Sequence, residues 1–117
     1  KKAHRTLVTS AFKNNMELVC VTFNCGDDWN VHMNLFEYGF SQYKMKELIP
    51  EGIIDINDVF YEYTPYIPFP LCYPLKENED YELVIYLLNR SNSKIIGKII
   101  LYKNSKEMYF QDVYRYY

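Results

Sequence analysis

The segment Met16 to Asn24, MELVCVTFN, is apolar on both of its alternating faces, and this constrains the fold more than any other feature of the chain. In an extended strand Val19, Val21 and Phe23 share one side while Leu18 and Cys20 share the other, so both sides have to be covered. Such a strand belongs inside a sheet. Arg5 to Phe12, RTLVTSAF, precedes it across the turn-forming Lys13-Asn14-Asn15, and the two runs predict a β-hairpin. Cys25-Gly26 then breaks the strand. Asp27 or Asp28 is placed to cap a following helix by accepting hydrogen bonds from its first free backbone N–H groups. Trp29, Met33, Phe36, Phe40 and Tyr43 recur at 4-3-4-3 spacing and predict one helical stripe packed on the hairpin, read as core rather than as a cofactor box.

One hairpin and one helix cover one face of two strands and leave the other apolar face open, and two-stranded ribbons are marginal alone. Residues 1–44 are therefore expected to be the tail end of a larger α/β domain whose earlier elements lie before Lys1. The open hairpin face is expected to bury itself against another copy of the chain or a further piece of protein.

After Tyr43 the pattern changes to short β-like runs at 45–49, 53–56, 59–63, 81–88, 95–102 and 107–114, separated by turn chemistry such as Glu51-Gly52, Asn57-Asp58 and Asn104-Ser105. A small all-β sandwich over 45–117 is the expectation. Pro65, Pro68, Pro70 and Pro74 in TPYIPFPLCYP lack N–H donors, which predicts an extended loop capping the sandwich. The fold class is thus α+β, an N-terminal hairpin plus helix followed by a β-sandwich domain.

Composition removes several function classes. The 13 basic and 15 acidic residues are spread along the chain and give a formal charge of -2, so no basic face is offered to nucleic acid. No apolar run approaches the roughly 18 residues that cross a bilayer. The basic start at 1–5 leads into a β-patterned run rather than the apolar core of a signal peptide. Three cysteines, Cys20, Cys25 and Cys72, contain no CxxC pair and give neither a disulfide framework nor a zinc signature; they read as buried or idle thiols, with a Cys20 to Cys25 bridge as the alternative. His4 and His32 are too few and too separated to indicate a metal site, and both read as structural. Neither a metal nor a cofactor is called for.

KKAHRTLVTSAFKNNMELVCVTFN followed by DDWNVHMNLFEYGFSQY resembles the end of the penicillin-recognising domain of low-molecular-weight D-alanyl-D-alanine carboxypeptidases. In that family a Lys-Thr-Gly motif, one further residue and a Thr come immediately before the position matched by Lys1. The pattern continues through Ala3 to Leu7-Val8 and Ser10-Ala11, with His4 standing where the family has Gly. The closing helix of the family carries an aromatic-Gly-Phe motif, matched by Tyr38-Gly39-Phe40, and glycine there allows close helix approach. KIIGKIILYKNSKEMYF is similar to the glycine-containing strand, turn and final strand of the β-domain that follows in these enzymes. The resemblance is closest over residues 1–43 and looser beyond.

The resemblance implies the C-terminal part of a serine-type carboxypeptidase that trims peptidoglycan stem peptides, divided into 1–44 and 45–117, from the extracellular side or the cell envelope and membrane-associated in the full-length protein. Family enzymes use a Ser-x-x-Lys pair, a Ser-x-Asn motif and Lys-Thr-Gly. This chain holds none of them in the right place. Ser41 and Lys44 have the letters of Ser-x-x-Lys, but they fall at the end of the closing helix and are read as coincidence. Catalysis is therefore expected outside this chain, and the chain alone is expected to be inactive. Lys1 and Arg5 would lie at the substrate edge, where they can steer an anionic substrate. Asp27 and Asp28 read as helix caps rather than a catalytic pair. Implied partners are a stem peptide or β-lactam through the absent catalytic part, a cell-envelope partner through the β-domain, and a second copy through the open hairpin face. The competing reading is a non-enzymatic cell-surface binding module.

Overall fold

A computed structural model of the chain describes residues 5–57 and 60–117. The order of elements is β1 (Thr6–Lys13), β2 (Met16–Phe23), α1 (Asp28–Gln42), β3 (Tyr43–Ile49), β4 (Gly52–Ile53), β5 (Pro65–Ile67), β6 (Leu71–Lys76), β7 (Glu82–Leu87), β8 (Ile95–Lys103) and β9 (Lys106–Arg115). The class is α+β, a hairpin and one helix followed by a small β-rich domain. Two compact units divide the chain, the first reaching Lys46 and including Tyr73–Asn78, the second Glu47–Cys72 with Glu79–Tyr117.

In the first unit β1 and β2 form an antiparallel ladder from Thr6↔Phe23 to Lys13↔Met16, closed by Asn14 and Asn15 at φ 54° and 61°. Positive φ at both central residues is the two-residue turn whose twist matches a hairpin, and asparagine tolerates it. α1 lies across the face carrying Leu7, Thr9 and Ala11 of β1 and Met16, Leu18, Cys20 and Thr22 of β2. The opposite face, Val8, Phe12, Val19, Val21 and Phe23, is exposed, with Phe23 at 74%. An apolar face of this kind is open within the chain itself.

The helix is rotated from the orientation its apolar spacing predicts. Trp29 and Met33 of the expected stripe are 59% and 62% exposed, and the side turned to the hairpin carries Asp28, His32, Phe36 and Gly39. Two causes are visible. Asp28 and His32 have dedicated polar partners on that side, and Gly39 brings the helix so close that a Cβ there would meet Leu18 Cδ1 at 2.5 Å. Neither expected aspartate caps through its side chain. Asp27 occupies the N-cap position but accepts from Asn30 Nδ2 instead of a backbone N–H, and Asp28 lies inside the first turn.

In the second unit β4-β5-β9-β8-β7 form a five-stranded sheet; β3 and β6, most of whose residues belong to the first unit, pair in a two-stranded one. Ile67, Leu71, Ile96, Ile99 and Val113 are fully buried, with Leu48, Ile49, Ile54, Leu83, Ile85 and Leu87 packed around them. The register of β8 against β9 slips between Ile95 and Gly97, a bulge that turns both Ile96 and Gly97 inward.

The proline-rich segment departs from the expected loop, since it contributes β5 and β6. Proline is tolerated because Pro65 is the first residue of its strand and Pro74 lies in a strand of a two-stranded sheet, with one edge needing no donor. The expected run at 53–56 shrinks to Gly52–Ile53. Of the run at 59–63, Val59 lies outside the described residues and 60–63 are not strand.

The β8–β9 hairpin turns on Asn104 and Ser105 at φ 52° and 63°. A two-residue turn with both φ positive favours glycine at its second position, and serine there carries strain of about 1 kcal/mol. Ser105→Gly is expected to raise stability by roughly 0.5–1 kcal/mol, seen as a higher denaturant midpoint at unchanged slope. An unchanged or lower midpoint would contradict the turn geometry.

Candidate functional site

The residues that sequence places at a substrate edge begin with Lys1, which lies outside the described residues. Arg5 stands just before β1 and donates from Nε to Asp28 Oδ2 at 2.5 Å. Its side chain is 60% exposed while the carboxylate is 5% exposed, so the pair is a buried acid reached by a surface arginine. Asp28 sits in the first turn of α1, where the helix dipole also favours negative charge. The arrangement anchors the helix start to the hairpin. The amide of Asn24 donates to the Arg5 carbonyl at 2.6 Å and closes the same end of the ladder.

One turn further along α1 is a site that sequence reading treats only as structural. His32, 2% exposed, has Nδ1 2.6 Å from Thr9 Oγ1 and Nε2 2.8 Å from Thr22 Oγ1. β1 and β2 supply one hydroxyl each. Thr9 and Thr22 face the helix because alternate residues of paired strands share a side, and the ring spans the distance between them. A neutral imidazole offers one donor and one acceptor, and hydroxyls take either role, so both ring nitrogens are satisfied. The signal in sequence is the Asp28, His32, Phe36 spacing on one helical face, which competes with the larger Trp29, Met33 stripe.

Ser41 and Lys44, which have the letters of Ser-x-x-Lys, do not stand on consecutive helical turns. Ser41 lies in the last turn of α1 and is exposed, its Oγ donating to the Tyr38 carbonyl at 2.9 Å, as serines near helix ends often do. Lys44 is not on a further helical turn, because the helix stops at Gln42 and Lys44 is an exposed residue of β3. Activation of a serine needs its base within about 3 Å, with backbone donors for the oxyanion beside it. Here the hydroxyl proton is already given to a carbonyl. Cys20, Cys25 and Cys72 are free thiols rather than a bridge, and among the described residues no cluster of histidine, cysteine and acidic side chains has the makings of a metal site.

The second unit holds an aromatic cluster around Arg115. Its guanidinium lies 4.9 Å from the Tyr63 ring centre and 4.7 Å from that of Tyr117, and Nη2 donates to the Tyr117 hydroxyl. That hydrogen bond, with the two tyrosines nearby, holds the guanidinium pKa above its ordinary value. Tyr61 donates its hydroxyl to the Leu88 carbonyl at 2.8 Å, and burial followed by the neighbouring Tyr63 pushes its ionisation above the ordinary value of 10.0. These contacts tie Tyr61, Tyr63 and the C-terminal strand together without presenting a reactive group.

No helix among the described residues is long and apolar enough to cross a membrane. No family model matches the sequence, and no curated protein matches it. Among solved structures, penicillin binding protein 5 from Haemophilus influenzae is similar, with a TM-score of 0.61 and 14% identity over 94% of this chain and 37% of that one. This chain thus corresponds to well under half the length of that protein. At such identity the likeness is one of architecture, and the chain has a penicillin-binding-protein-like fold.

Proposed function

We propose that this chain is part of a serine-type D-alanyl-D-alanine carboxypeptidase that trims peptidoglycan stem peptides, with the nucleophile and its lysine supplied by residues this sequence does not contain. The observation that carries the reading is the fold likeness over 94% of the chain to a penicillin-binding protein. Two features support it. The sequence of residues 1–43 resembles the end of a penicillin-recognising domain, and the hairpin face left open, from Val8 to Phe23, has the apolar character of an interior surface. In this reading residues 1–44 close the catalytic domain, residues 45–117 form the β-domain, and the whole works in the cell envelope. The open face is covered by the rest of the catalytic domain or, when that is missing, by a second copy of the chain.

Lys1 and Arg5 lie at the substrate edge in this proposal. Arg5 is held there by Asp28 with more than half its surface toward solvent, a position suited to attracting the carboxylate of a stem peptide. The second reading, a non-enzymatic cell-surface binding module, is favoured by one observation: Ser41, the serine whose Ser-x-x-Lys spacing falls on the closing helix, is committed to a backbone carbonyl.

The test is fluorescent penicillin labelling followed by a denaturing gel and intact mass. The 117-residue chain is expected to give no covalent adduct and no release of D-alanine, because in this reading the nucleophile and its activating lysine lie outside it. A stoichiometric adduct that disappears on Ser41→Ala would overturn this assignment. Labelling of the product of the complete gene supports the carboxypeptidase, and its failure to label supports the binding module.

A further inference from the structure

Between β5 and β6 the second unit holds an aromatic side chain out in water. Phe69 is 72% exposed, although its ring is among the side chains that gain most from burial. The ring is nevertheless carried on a stiffened backbone. Pro68 and Pro70 lock their own φ, and a residue that precedes proline is restricted as well, so Phe69 has little freedom on either side. Gln111 of β9 donates from Nε2 to the Phe69 carbonyl at 2.8 Å and ties the segment to the sheet. An exposed aromatic ring on a fixed backbone loses little entropy when a ligand stacks on it, which is the character of a binding anchor.

Phe69 and its two prolines line a hollow of about 390 Å³ together with Tyr109, Gln111, Asp112 and Tyr114 of β9. Tyr114 is braced by the Tyr66 ring, 6.2 Å away centre to centre, and Tyr109 is engaged within the chain, so these two serve as walls while Phe69 offers a ring face. The lining carries one carboxylate, that of Asp112, and no cation among the described residues. Lys98 stands opposite Asp112 in the β8–β9 register, with its ammonium 4.3 Å from the Phe110 ring centre, so one positive charge on the neighbouring strand already offsets the carboxylate. The surroundings of the hollow are therefore close to neutral. An anion finds no cation in the lining, and a cation would meet Lys98 beside its only partner.

We infer that this hollow binds a neutral pyranose ring of a glycan, its C–H face stacked on Phe69 and its hydroxyls donating to the Asp112 carboxylate. The chemistry selects the ligand class. A pyranose presents an apolar face and a rim of hydroxyl donors without carrying charge, which matches an aromatic ring beside a carboxylate whose charge is already offset. Hydroxyls that donate to a carboxylate make charge-assisted hydrogen bonds, the stronger kind. A purely apolar ligand would instead cover Asp112 and leave the carboxylate without a donor, which costs more than the apolar contact returns. This holds for either reading of the parent protein, since it uses the second unit alone.

The test is titration of the full chain with the neutral sugars chitotetraose and cellotetraose, followed through backbone amide NMR shifts. Tetragalacturonate and the tetramer of glucosamine serve as anionic and cationic counterparts, and indole as an apolar ring without hydroxyls. Millimolar neutral sugar is expected to shift the amides of Phe69, Gln111, Asp112 and Tyr114, and the difference between the two neutral sugars shows whether an acetamido group is read. Phe69→Ser and Asp112→Ala are each expected to weaken binding at least about tenfold. Phe69→Tyr keeps the ring and is expected to stay within about threefold of the original, which separates loss of stacking from loss of fold. The inference is overturned if neither neutral sugar shifts these amides, if a charged counterpart or indole binds there as tightly, or if Phe69→Ser binds as well as the original chain.

Discussion

Gly97→Ala is expected to destabilise the second unit by about 3 kcal/mol or more, a large part of the roughly 5–15 kcal/mol that holds a domain of this size together. A Cβ on Gly97 would stand 2.1 Å from the Tyr86 carbonyl oxygen and 3.1 Å from Leu87 Cα, and these are backbone atoms of the paired strand. They cannot rotate away. Relief requires β7 to move off β8, which breaks the Leu87↔Gly97 and Tyr86↔Lys98 pairing and opens the core around Ile96 and Ile99. Gly39→Ala is the control. Its Cβ would meet only the end of the Leu18 side chain, at 2.5 Å from Cδ1, and alanine gains up to about 1 kcal/mol of helix propensity over glycine. A net change under about 1.5 kcal/mol is expected there. Denaturant unfolding of both variants measures the contrast, and a cost below about 1 kcal/mol for Gly97→Ala would mean that β7 and β8 do not meet in this register.

His32→Leu is expected to cost about 2–4 kcal/mol, although leucine is the more hydrophobic residue. The loss comes from Thr9 and Thr22, whose hydroxyls are 2.6 and 2.8 Å from the ring nitrogens and would be left facing an apolar side chain. An unsatisfied buried polar group costs roughly 1–3 kcal/mol. The diagnostic variant is the triple change His32→Leu, Thr9→Val and Thr22→Val. Removing donor and acceptor together is close to neutral where shape is kept, so the triple variant is expected to recover more than half of the loss. If it is no more stable than His32→Leu, the histidine acts through ring packing, including its edge contact with Phe36 at 6.5 Å, rather than through its hydrogen bonds.

Much of the local structure is legible in the residues alone. Alternation in MELVCVTF and the Asn14-Asn15 pair locate the first hairpin to within a residue, and Asn104-Ser105 does the same for the last. The helix from Asp28 ends one residue short of its expected limit at Tyr43. Strand period, turn residues and helix length are short-range properties, so they are written where they act. The free state of Cys20 and Cys25 and the hydrogen bond of Ser41 are decided differently, by where each side chain comes to rest.

The choice of buried helix face shows the boundary. Apolar spacing favours Trp29 and Met33, and a helix covered on several sides is apolar on several sides, so periodicity cannot rank them. The decision comes from Thr9, Thr22, Leu18 and Arg5, partners 10 to 23 residues away that offer hydrogen bonds to His32, room at Gly39 and a charge to Asp28. The proline-rich segment shows it again, because missing donors exclude a central position but are harmless at a strand start or on a free edge, and only the sheet order reveals which applies. Sequence by itself determined the two hairpins, their turns and the helix, all of which depend on neighbours along the chain. Tertiary structure decided which faces are covered and which glycine touches backbone, because those depend on atoms that meet only after folding.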